Sequence, residues 1–238
     1  LLTLKSDDVE FKRLGGTVRT ARILRELPND WRKIDQELVS LTPKHAEYID
    51  GKLTFGISVF GHGVHKKDIA RTALNIKKAI KKAGNSVRMV PHDGLELNAA
   101  TVLSNKLTGP PGWELLVVSD GKKTYLAQTV SIQDIDAYAA RDRERPMRDA
   151  KVGMLPPKLA QIIINLTNPK PKSILLDPFC GTGVLLQEAL LMDLNVIGSD
   201  ISPRMGEYTI KNLDWLWSKY PETKDLGRGW QLGDATTL

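Results

Sequence analysis

The chain has 238 residues, of which 41% are hydrophobic and 26% charged, and a formal net charge of +6. This composition is typical of a globular protein, and no apolar run reaches the roughly 20 residues that a membrane-spanning helix needs, so we expect no membrane association. The single cysteine, Cys180, excludes an intrachain disulfide framework and a cysteine-rich zinc site, and we predict a cytoplasmic protein without a metal.

The basic excess lies in the middle of the sequence. Residues 51–135 contain twelve Lys and Arg against six Asp and Glu, and residues 136–170 contain seven against four. Residues 1–50 are balanced at nine against nine, and residues 171–238 are mildly acidic. This distribution indicates a surface for a polyanion. The alternative is a solvated lysine-rich helix that binds nothing.

The N-terminal residues 1–50 are predicted to form a small α+β piece. Gly15-Gly16 indicates a turn. The apolar positions Val18, Ile23 and Leu27 then predict a helix from Thr17 to Leu27.

Residues 51–135 are predicted to form a compact α/β sandwich. Phe55, Ile57 and Val59 alternate with smaller residues, which predicts a half-buried strand. An apolar stripe from His65 to Ala83 predicts a helix whose other faces carry lysines. The elements predicted after it are a strand, a capped helix and a hairpin of two strands, at Ser86–Val90, Asn98–Leu107, Trp113–Val118 and Thr124–Val130.

The charged segment 136–155 contains Pro146 and few large apolar residues, and we predict a linker or an exposed arm. A helix is predicted to begin at Pro156-Pro157. From residue 173 onward the pattern is strand, helix, strand, helix, strand. Such a β-α-β-α-β order predicts a parallel sheet with right-handed crossovers.

The first of these strands runs into a turn with the sequence DPFCGTG, residues 177–183, which opens the next helix. Gly181 and Gly183 let the backbone pass close to a ligand. A dinucleotide loop would have a third glycine where Leu186 stands, and an ATP loop would end in Gly-Lys-Ser/Thr. Asp177 would repel phosphates and suits a ligand with a positive centre. These features favour S-adenosylmethionine, which has an amino group and a sulfonium and no phosphate.

Two more acidic residues follow the next two strands. Asp200 comes nineteen residues after Gly181, where an acidic residue bonds ribose hydroxyls in related nucleotide folds. Asp234 follows the third strand, where its carboxylate could accept a hydrogen bond from the adenine amino group. Any one of these residues alone would be an ordinary aspartate in a turn, but three at successive strand ends favour a nucleoside site. Cys180 is expected to be a small buried residue rather than a nucleophile.

The motifs DPFCGTG and VIGSD resemble those of the amino-methyltransferases that act on the N2 atom of guanine in RNA. RDRERPMRDAKVGMLPPKLAQIIINL resembles the segment before the first motif in the archaeal-type tRNA guanine-10 N2-methyltransferase family, and GKLTFGISVFGHGVHKKDIARTALNIKKAIKKAGNSVRMV resembles its THUMP domain. RLGGTVRTARIL resembles its N-terminal ferredoxin-like piece.

The resemblance implies an α/β protein with a THUMP-like domain followed by a Rossmann-like S-adenosylmethionine-dependent methyltransferase domain. The implied segments are 1–50 (ferredoxin-like), 51–135 (THUMP-like), 136–155 (linker) and 156–238 (methyltransferase). The implied donor-binding residues lie at the three strand ends: Asp177, Phe179, Gly181, Gly183, Asp200, Ile201, Asp234 and Ala235.

The resemblance also implies that the substrate is tRNA, held through its phosphates and its acceptor end. Phosphate contacts supply most nonspecific affinity for nucleic acid, so the basic residues of the middle region are candidates. They are Lys66, Lys67, Arg71, Arg88 and Lys106 in the THUMP-like segment and Arg141, Arg143, Arg145 and Arg148 in the linker.

The family carries an Asp/Asn-Pro-Pro-Tyr-type motif after its fourth strand, and this sequence contains no such tetrapeptide. We therefore expect an incomplete methyltransferase domain, with no catalytic residue in this chain, and we expect the chain to bind the donor weakly if at all and not to methylate. Two alternatives stay open: a methyltransferase for another RNA base or for DNA, and a catalytically inactive RNA-binding protein with a degenerate methyltransferase fold. The oligomeric state is not predicted.

Overall fold

The computed structural model describes residues 10–91, 93–151 and 153–237. These residues form two compact units. Unit 1 comprises Val18–Asp134, and unit 2 combines residues 10–17 with residues 135–237. The predicted N-terminal piece also included residues 1–9, which lie outside the described residues.

Unit 1 is a five-stranded mixed sheet with three helices. The strands are β1 (Arg19–Leu27), β2 (Leu53–Phe60), β3 (Val87–Met89), β4 (Gly112–Ser119) and β5 (Thr124–Ile132). The helices are α1 (Trp31–Ala46), α2 (Lys66–Lys82) and α3 (Ala99–Ser104). The strand order is β1-β5-β4-β2-β3, and β2 is parallel to both β3 and β4, whereas β5 is antiparallel to β4 and β1.

Both faces of β2 are buried, which corrects the prediction of a half-buried strand. Phe55 and Ile57 belong to the core that also contains Ile34 of α1 and Ile76 of α2. On the opposite face a Cβ at Gly56 would lie 2.4 Å from a methyl group of Leu97, so any larger residue would require the Leu97 side chain to shift. Large and small residues do alternate along β2, but the small residues face a second layer of buried side chains, which includes Leu97, and not solvent.

The predicted helix over Thr17–Leu27 is wrong, because this segment forms β1. Its backbone pairs antiparallel with β5, from Arg19 opposite Ile132 to Leu27 opposite Thr124. β1 is an edge strand and six of its nine residues are exposed, so its sequence lacks the apolar alternation that a more buried strand shows. The helix α1, which follows it, was not predicted.

Unit 2 contains a three-stranded parallel sheet in the order β6-β7-β8. Its strands are β6 (Ile174–Asp177), β7 (Asn195–Asp200) and β8 (Arg228–Leu232), and its helices are α4 (Ile135–Arg143), α5 (Pro157–Leu166), α6 (Val184–Leu191) and α7 (Pro203–Lys219). The core of the unit contains Ile164 of α5, Leu186 of α6, Val196 of β7 and Leu213 of α7. The β-α-β-α-β order predicted from residue 173 onward matches this arrangement.

The boundaries of the predicted segments differ from those of the units. The predicted linker 136–155 begins with α4 and contains buried side chains, because Arg141 forms an ion pair with Glu188 of α6. Residues 10–17 belong to unit 2, where Asn165 donates a hydrogen bond to the carbonyl of Arg13. No helix within the described ranges is long and apolar enough to cross a membrane.

Candidate functional site

The glycine turn, residues 178–183, connects β6 to α6. Gly181 has φ of 52° and Gly183 has φ of 77°, both in the left-handed region that favours glycine. A Cβ at Gly181 would meet nothing within 4 Å, so this glycine is needed for its conformation and leaves open space above the backbone. A Cβ at Gly183 would lie 3.1 Å from the Thr209 side chain, so this glycine also permits close packing against α7.

Asp200, at the end of β7, holds the glycine turn through its carboxylate. Its Oδ2 accepts a hydrogen bond from the backbone N–H of Gly181 at 3.0 Å, and its Oδ1 accepts from the N–H of Ser202 at 2.9 Å. Each carboxylate oxygen has a further lone pair. Asp200 can therefore hold the turn and still accept hydrogen bonds from ligand hydroxyl groups.

Asp177, at the end of β6, lies close enough to Asp200 for the two charges to interact. Burial raises the pKa of the Asp177 carboxyl, and the negative charge of Asp200 raises it further. A hydrogen bond from the N–H of Phe179 to Oδ1, 3.1 Å long, opposes both effects. A partly desolvated carboxylate beside a second one attracts a cationic group, and no Lys or Arg stands between residues 173 and 203 to neutralise the pair locally.

Asp234 follows β8 at the same edge of the sheet, because the N–H of Gly233 donates to the carbonyl of Asp200 at 3.2 Å. The Asp234 carboxylate is exposed and accepts from the N–H and the hydroxyl of Thr236 at 2.9 and 2.8 Å. These hydrogen bonds lower the pKa of Asp234. Ala235 is half-buried in the turn that these contacts close.

Two apolar side chains stand exposed after the strand ends. Phe179 follows β6 and is 76% exposed, and Ile201 follows β7 and is 73% exposed. Exposed large apolar side chains beside polar groups are typical of a ligand site. The structure thus places Asp177, Phe179, Gly181, Asp200 and Ile201 at the ends of two neighbouring strands.

These residues fit S-adenosylmethionine in their chemistry. The open space at Gly181 can receive a ligand, the carboxylates match amino and hydroxyl groups, and the two apolar side chains match a base or a ribose face. The turn has no cation for a phosphate, since residues 177–183 contain neither Lys nor Arg. A dinucleotide or a nucleoside triphosphate fits these residues less well.

Sequence reasoning missed two residues of α7 that contact the glycine turn. Thr209 and Asn212 are fully buried, and their side chains donate hydrogen bonds to the carbonyls of Gly181 and Thr182. The signal that could have found them was their position, because they are polar residues three apart on the helix face that also carries Met205 and Leu216.

Cys180 is buried, as predicted, and its thiol lies 3.7 Å from the Thr209 hydroxyl. Burial raises the pKa of this thiol, so it is protonated at neutral pH. These properties agree with a packing residue and oppose a nucleophile.

Most of the basic residues proposed to contact RNA are exposed. Lys66, Lys67, Arg71, Arg88 and Lys106 of unit 1 are exposed, as are Arg143 and Arg148 of unit 2. Arg71 differs from the others in unit 1, because its guanidinium donates to Asp68 at 2.6 Å and its charge is partly neutralised.

Two of the proposed RNA contacts are contradicted by burial. The Arg141 side chain is 8% exposed, and its Nε donates to Glu188 at 2.7 Å, while the second oxygen of Glu188 accepts from Gln161 at 2.9 Å. Arg145 is 2% exposed, and none of its guanidinium nitrogens has a hydrogen-bond partner among the described residues. Neither side chain can reach a phosphate on the surface.

The comparison with protein families places these contacts in a known domain. Residues 145–221, which include the glycine turn, Asp200, Thr209 and Asn212, match the RMKL-like methyltransferase domain. Across the chain, the crystal structure of TrmN from Thermus thermophilus superposes with a TM-score of 0.50 at 15% identity, covering 97% of this chain and 62% of that one. This likeness confirms the predicted α/β, Rossmann-like fold class.

Three curated relatives carry the name tRNA (guanine(10)-N2)-dimethyltransferase, one of them as probable. The chain is 31% identical over 138 residues to the protein of Methanocaldococcus jannaschii, 47% over 74 residues to that of Methanothermobacter thermautotrophicus and 50% over 83 residues to that of Methanothermococcus thermolithotrophicus. These matches cover 58%, 31% and 34% of this chain.

The same matches span 39%, 21% and 49% of the relatives' own lengths, so the chain covers less than half of each. The resemblance to tRNA guanine-10 N2-methyltransferases is nevertheless confirmed by two comparisons, whereas the THUMP-like and ferredoxin-like assignments stay predictions. Residues 145–221 match the RMKL-like methyltransferase domain, and the chain is similar in sequence to the tRNA (guanine(10)-N2)-dimethyltransferases.

Proposed function

We propose that the protein transfers a methyl group from S-adenosylmethionine to the exocyclic N2 amino group of a guanine in tRNA. The observation that carries this proposal is the contact of Asp200 with Gly181, beside the partly buried Asp177, within the segment that matches a methyltransferase domain. The names of the similar proteins support the choice of base and of RNA.

S-adenosylmethionine, when bound, supplies an electrophilic methyl group on a sulfonium. Asp177 would attract its cationic amino group, and Asp200 would accept hydrogen bonds from its ribose hydroxyls through the lone pairs that Gly181 and Ser202 leave free. Phe179 and Ile201 would cover apolar surface of the nucleoside, and Asp234 with Ala235 would lie beside the base.

The contribution of this chain to the reaction is positioning. A guanine amino group is a weak nucleophile, so the rate depends on holding donor and acceptor in one geometry. The residues described at the glycine turn hold the donor side of that arrangement. Their backbone and carboxylate contacts are formed within the fold, which reduces the ordering that donor binding requires.

Unit 1 is proposed to bind the RNA, as the THUMP-like resemblance implies. Lys66, Lys67, Arg88 and Lys106 are exposed and have no carboxylate partner among the described residues. Exposed cations of this kind contact phosphates without reading sequence. The choice of the target guanine then depends on tRNA shape and on the methyltransferase domain.

Donor binding is tested by calorimetry with S-adenosylhomocysteine as the probe. We expect the wild-type protein, produced from its complete reading frame, to bind this probe and Asp200→Ala to bind it at least about tenfold more weakly, because the substitution removes both the acceptor for the ligand and the acceptor for the N–H of Gly181. Asp225→Ala, at an exposed aspartate of the same unit, is the matched control and should bind as wild type does. Equal affinities for Asp200→Ala and wild type would remove Asp200 from the site.

The substrate is tested with protein produced from the complete reading frame. Unmodified tRNA and a duplex DNA are incubated with isotopically labelled donor, and the nucleosides are separated by mass spectrometry. The proposal predicts N2-methylated guanosine in the tRNA and no label in DNA. Label on another base would establish a different methyltransferase, and tRNA binding without label would favour the RNA-binding protein without catalysis.

A further inference from the structure

Two buried residues of α7 hold consecutive carbonyls of the glycine turn. The Thr209 hydroxyl donates to the carbonyl of Gly181 at 2.9 Å, and the Asn212 amide donates to the carbonyl of Thr182 at 2.8 Å. Both side chains are completely buried, and their spacing of three residues puts them on one face of the helix. Together with Asp200, which holds the N–H of Gly181, they restrain the backbone on both sides of this glycine.

Asn212 also joins a third segment to the turn. Its Nδ2 donates to the carbonyl of Met147, and its Oδ1 accepts from the N–H of the same residue, both at 2.9 Å. One side-chain amide thus links α7, the glycine turn and the segment that follows α4. Removal of this amide would leave several buried backbone groups without partners, which is costly.

The conformational freedom of Gly181 explains why the glycine turn needs these hydrogen bonds. The space beside Gly181 is open, since a Cβ there would meet nothing within 4 Å, so packing does not hold this residue in place. Its left-handed conformation is one of many that glycine adopts easily. Without external hydrogen bonds the turn would populate other conformations. Each of these would reduce the apparent affinity for a ligand that needs the observed one.

We propose that Thr209 and Asn212 are positioning residues that hold the glycine turn in its donor-binding conformation before the donor arrives. The identity of the ligand as S-adenosylmethionine rests on the proposed function, whereas the restraint of the turn does not. A purely structural role predicts that substitutions change stability alone. A positioning role predicts that donor affinity changes specifically when a hydrogen bond to the turn is removed.

Position 209 offers a matched pair of variants. Thr209→Val keeps the shape and removes the hydroxyl, and Thr209→Ser keeps the hydroxyl and removes a methyl group. Leu216→Val, at a fully buried residue of the same helix, is a control that lowers stability without removing a hydrogen bond to the turn. Asn212→Asp is a fourth variant, which keeps an acceptor for the N–H of Met147 and, when ionised, cannot donate to the carbonyls of Met147 and Thr182.

Calorimetric titration with S-adenosylhomocysteine is expected to show about fivefold or greater weakening for Thr209→Val and Asn212→Asp. Thr209→Ser should remain within about twofold of wild type, although it is destabilised, and Leu216→Val should bind as wild type does despite a lower Tm. Equal affinity of Thr209→Val and wild type would overturn the proposal, as would equal weakening by Thr209→Val and Leu216→Val.

A second measurement separates this proposal from the identity of the donor. Amide hydrogen exchange of Gly181 and Gly183, followed by NMR without ligand, reports on the turn itself. Faster exchange in Thr209→Val than in Leu216→Val supports the restraint even if wild type fails to bind S-adenosylhomocysteine, a failure that would count against the proposed function alone. Unchanged exchange in Thr209→Val would overturn the positioning role.

Discussion

At Asp177, the stability of the fold and the proposed binding of a cationic ligand make opposite demands. Burial raises its pKa above the ordinary value of 3.8, so its carboxyl binds a proton more tightly in the folded state than in the unfolded chain. Stability therefore falls as pH rises from the ordinary aspartate range through the raised pKa. Binding of a cationic ligand would account for a carboxylate that is kept charged although this charge lowers stability.

Asp177→Asn is expected to raise Tm at pH 7 and to weaken binding of S-adenosylhomocysteine. The amide oxygen still accepts from the N–H of Phe179, while the partly desolvated charge is removed. Below about pH 3 the wild-type carboxyl is protonated in both states, so the Tm difference should disappear. Asp225→Asn, at an exposed site, should change neither quantity. A lower Tm for Asp177→Asn at pH 7 would show that the charge stabilises the fold.

The residues of the candidate site were predictable to different degrees. Asp177 and Asp200 could be placed at one sheet edge, because parallel strands that neighbour in sequence bring their carboxyl ends together. The contact between Asp200 and Gly181 could not be predicted, since it depends on how the turn folds back. Thr209 and Asn212 lie on α7, remote in sequence from the turn, and only the packing of α7 against the turn shows their contacts.

At the scale of elements, α4 and α6 are joined by a buried ion pair. Arg141 contacts one oxygen of Glu188, and Gln161 of α5 contacts the other, so the carboxylate is satisfied. Arg145, four residues further on, is equally buried but has no hydrogen-bond partner among the described residues. Burial lowers the pKa of its guanidinium. Removal of Arg141 therefore takes a hydrogen bond away from a buried carboxylate, whereas removal of Arg145 breaks no hydrogen bond among the described residues.

Arg141→Met is expected to destabilise the protein by about 3–5 kcal/mol, because it removes the ion pair and the hydrogen bond of the buried Glu188 carboxylate, and Arg145, the other cation that acts on this carboxylate, makes no hydrogen bond to it. Arg145→Met, with a similar change in shape, should leave Tm unchanged or raise it, since it removes a buried charge without a hydrogen-bond partner among the described residues. Urea unfolding of both variants measures the difference. The double variant Arg141→Met with Glu188→Met should recover part of the stability. An equal decrease in the free energy of unfolding for both single variants would show that Arg145 makes a stabilising contact.

The elements that composition and periodicity describe poorly are those at the edges of units. Segment 136–155 is rich in charges, which favours a linker, yet Arg141 and Arg145 point those charges inward. β1 lacks a regular alternation of apolar and polar residues, and its pairing with β5 determines its structure. In contrast, α2 and the strands of unit 2 have strong apolar patterns, and the sequence predicts them closely.

At the scale of the whole molecule, the charges divide between the units. The basic excess of residues 51–135 belongs to unit 1, and the acidic strand ends belong to unit 2. Within unit 1, Lys81 and Lys82 complete the last turn of α2, where cations stabilise the helix dipole. Lys66 and Lys67 lie in the first turn of α2, where cations are unfavourable, so the stability of the helix does not explain why lysines stand there.

A double variant of Lys66 and Lys67 to Gln therefore tests the RNA surface without a cost in stability. If both lysines bind phosphates, affinity for tRNA should fall, and the slope of log K against log salt should decrease by about one for each lysine replaced. Tm should stay constant or rise, because two cations leave a helix N-terminus. Lys123→Gln is the control, since Lys123 pairs with Glu26 at 2.8 Å. An unchanged salt slope in the double variant would place the phosphate-binding residues elsewhere.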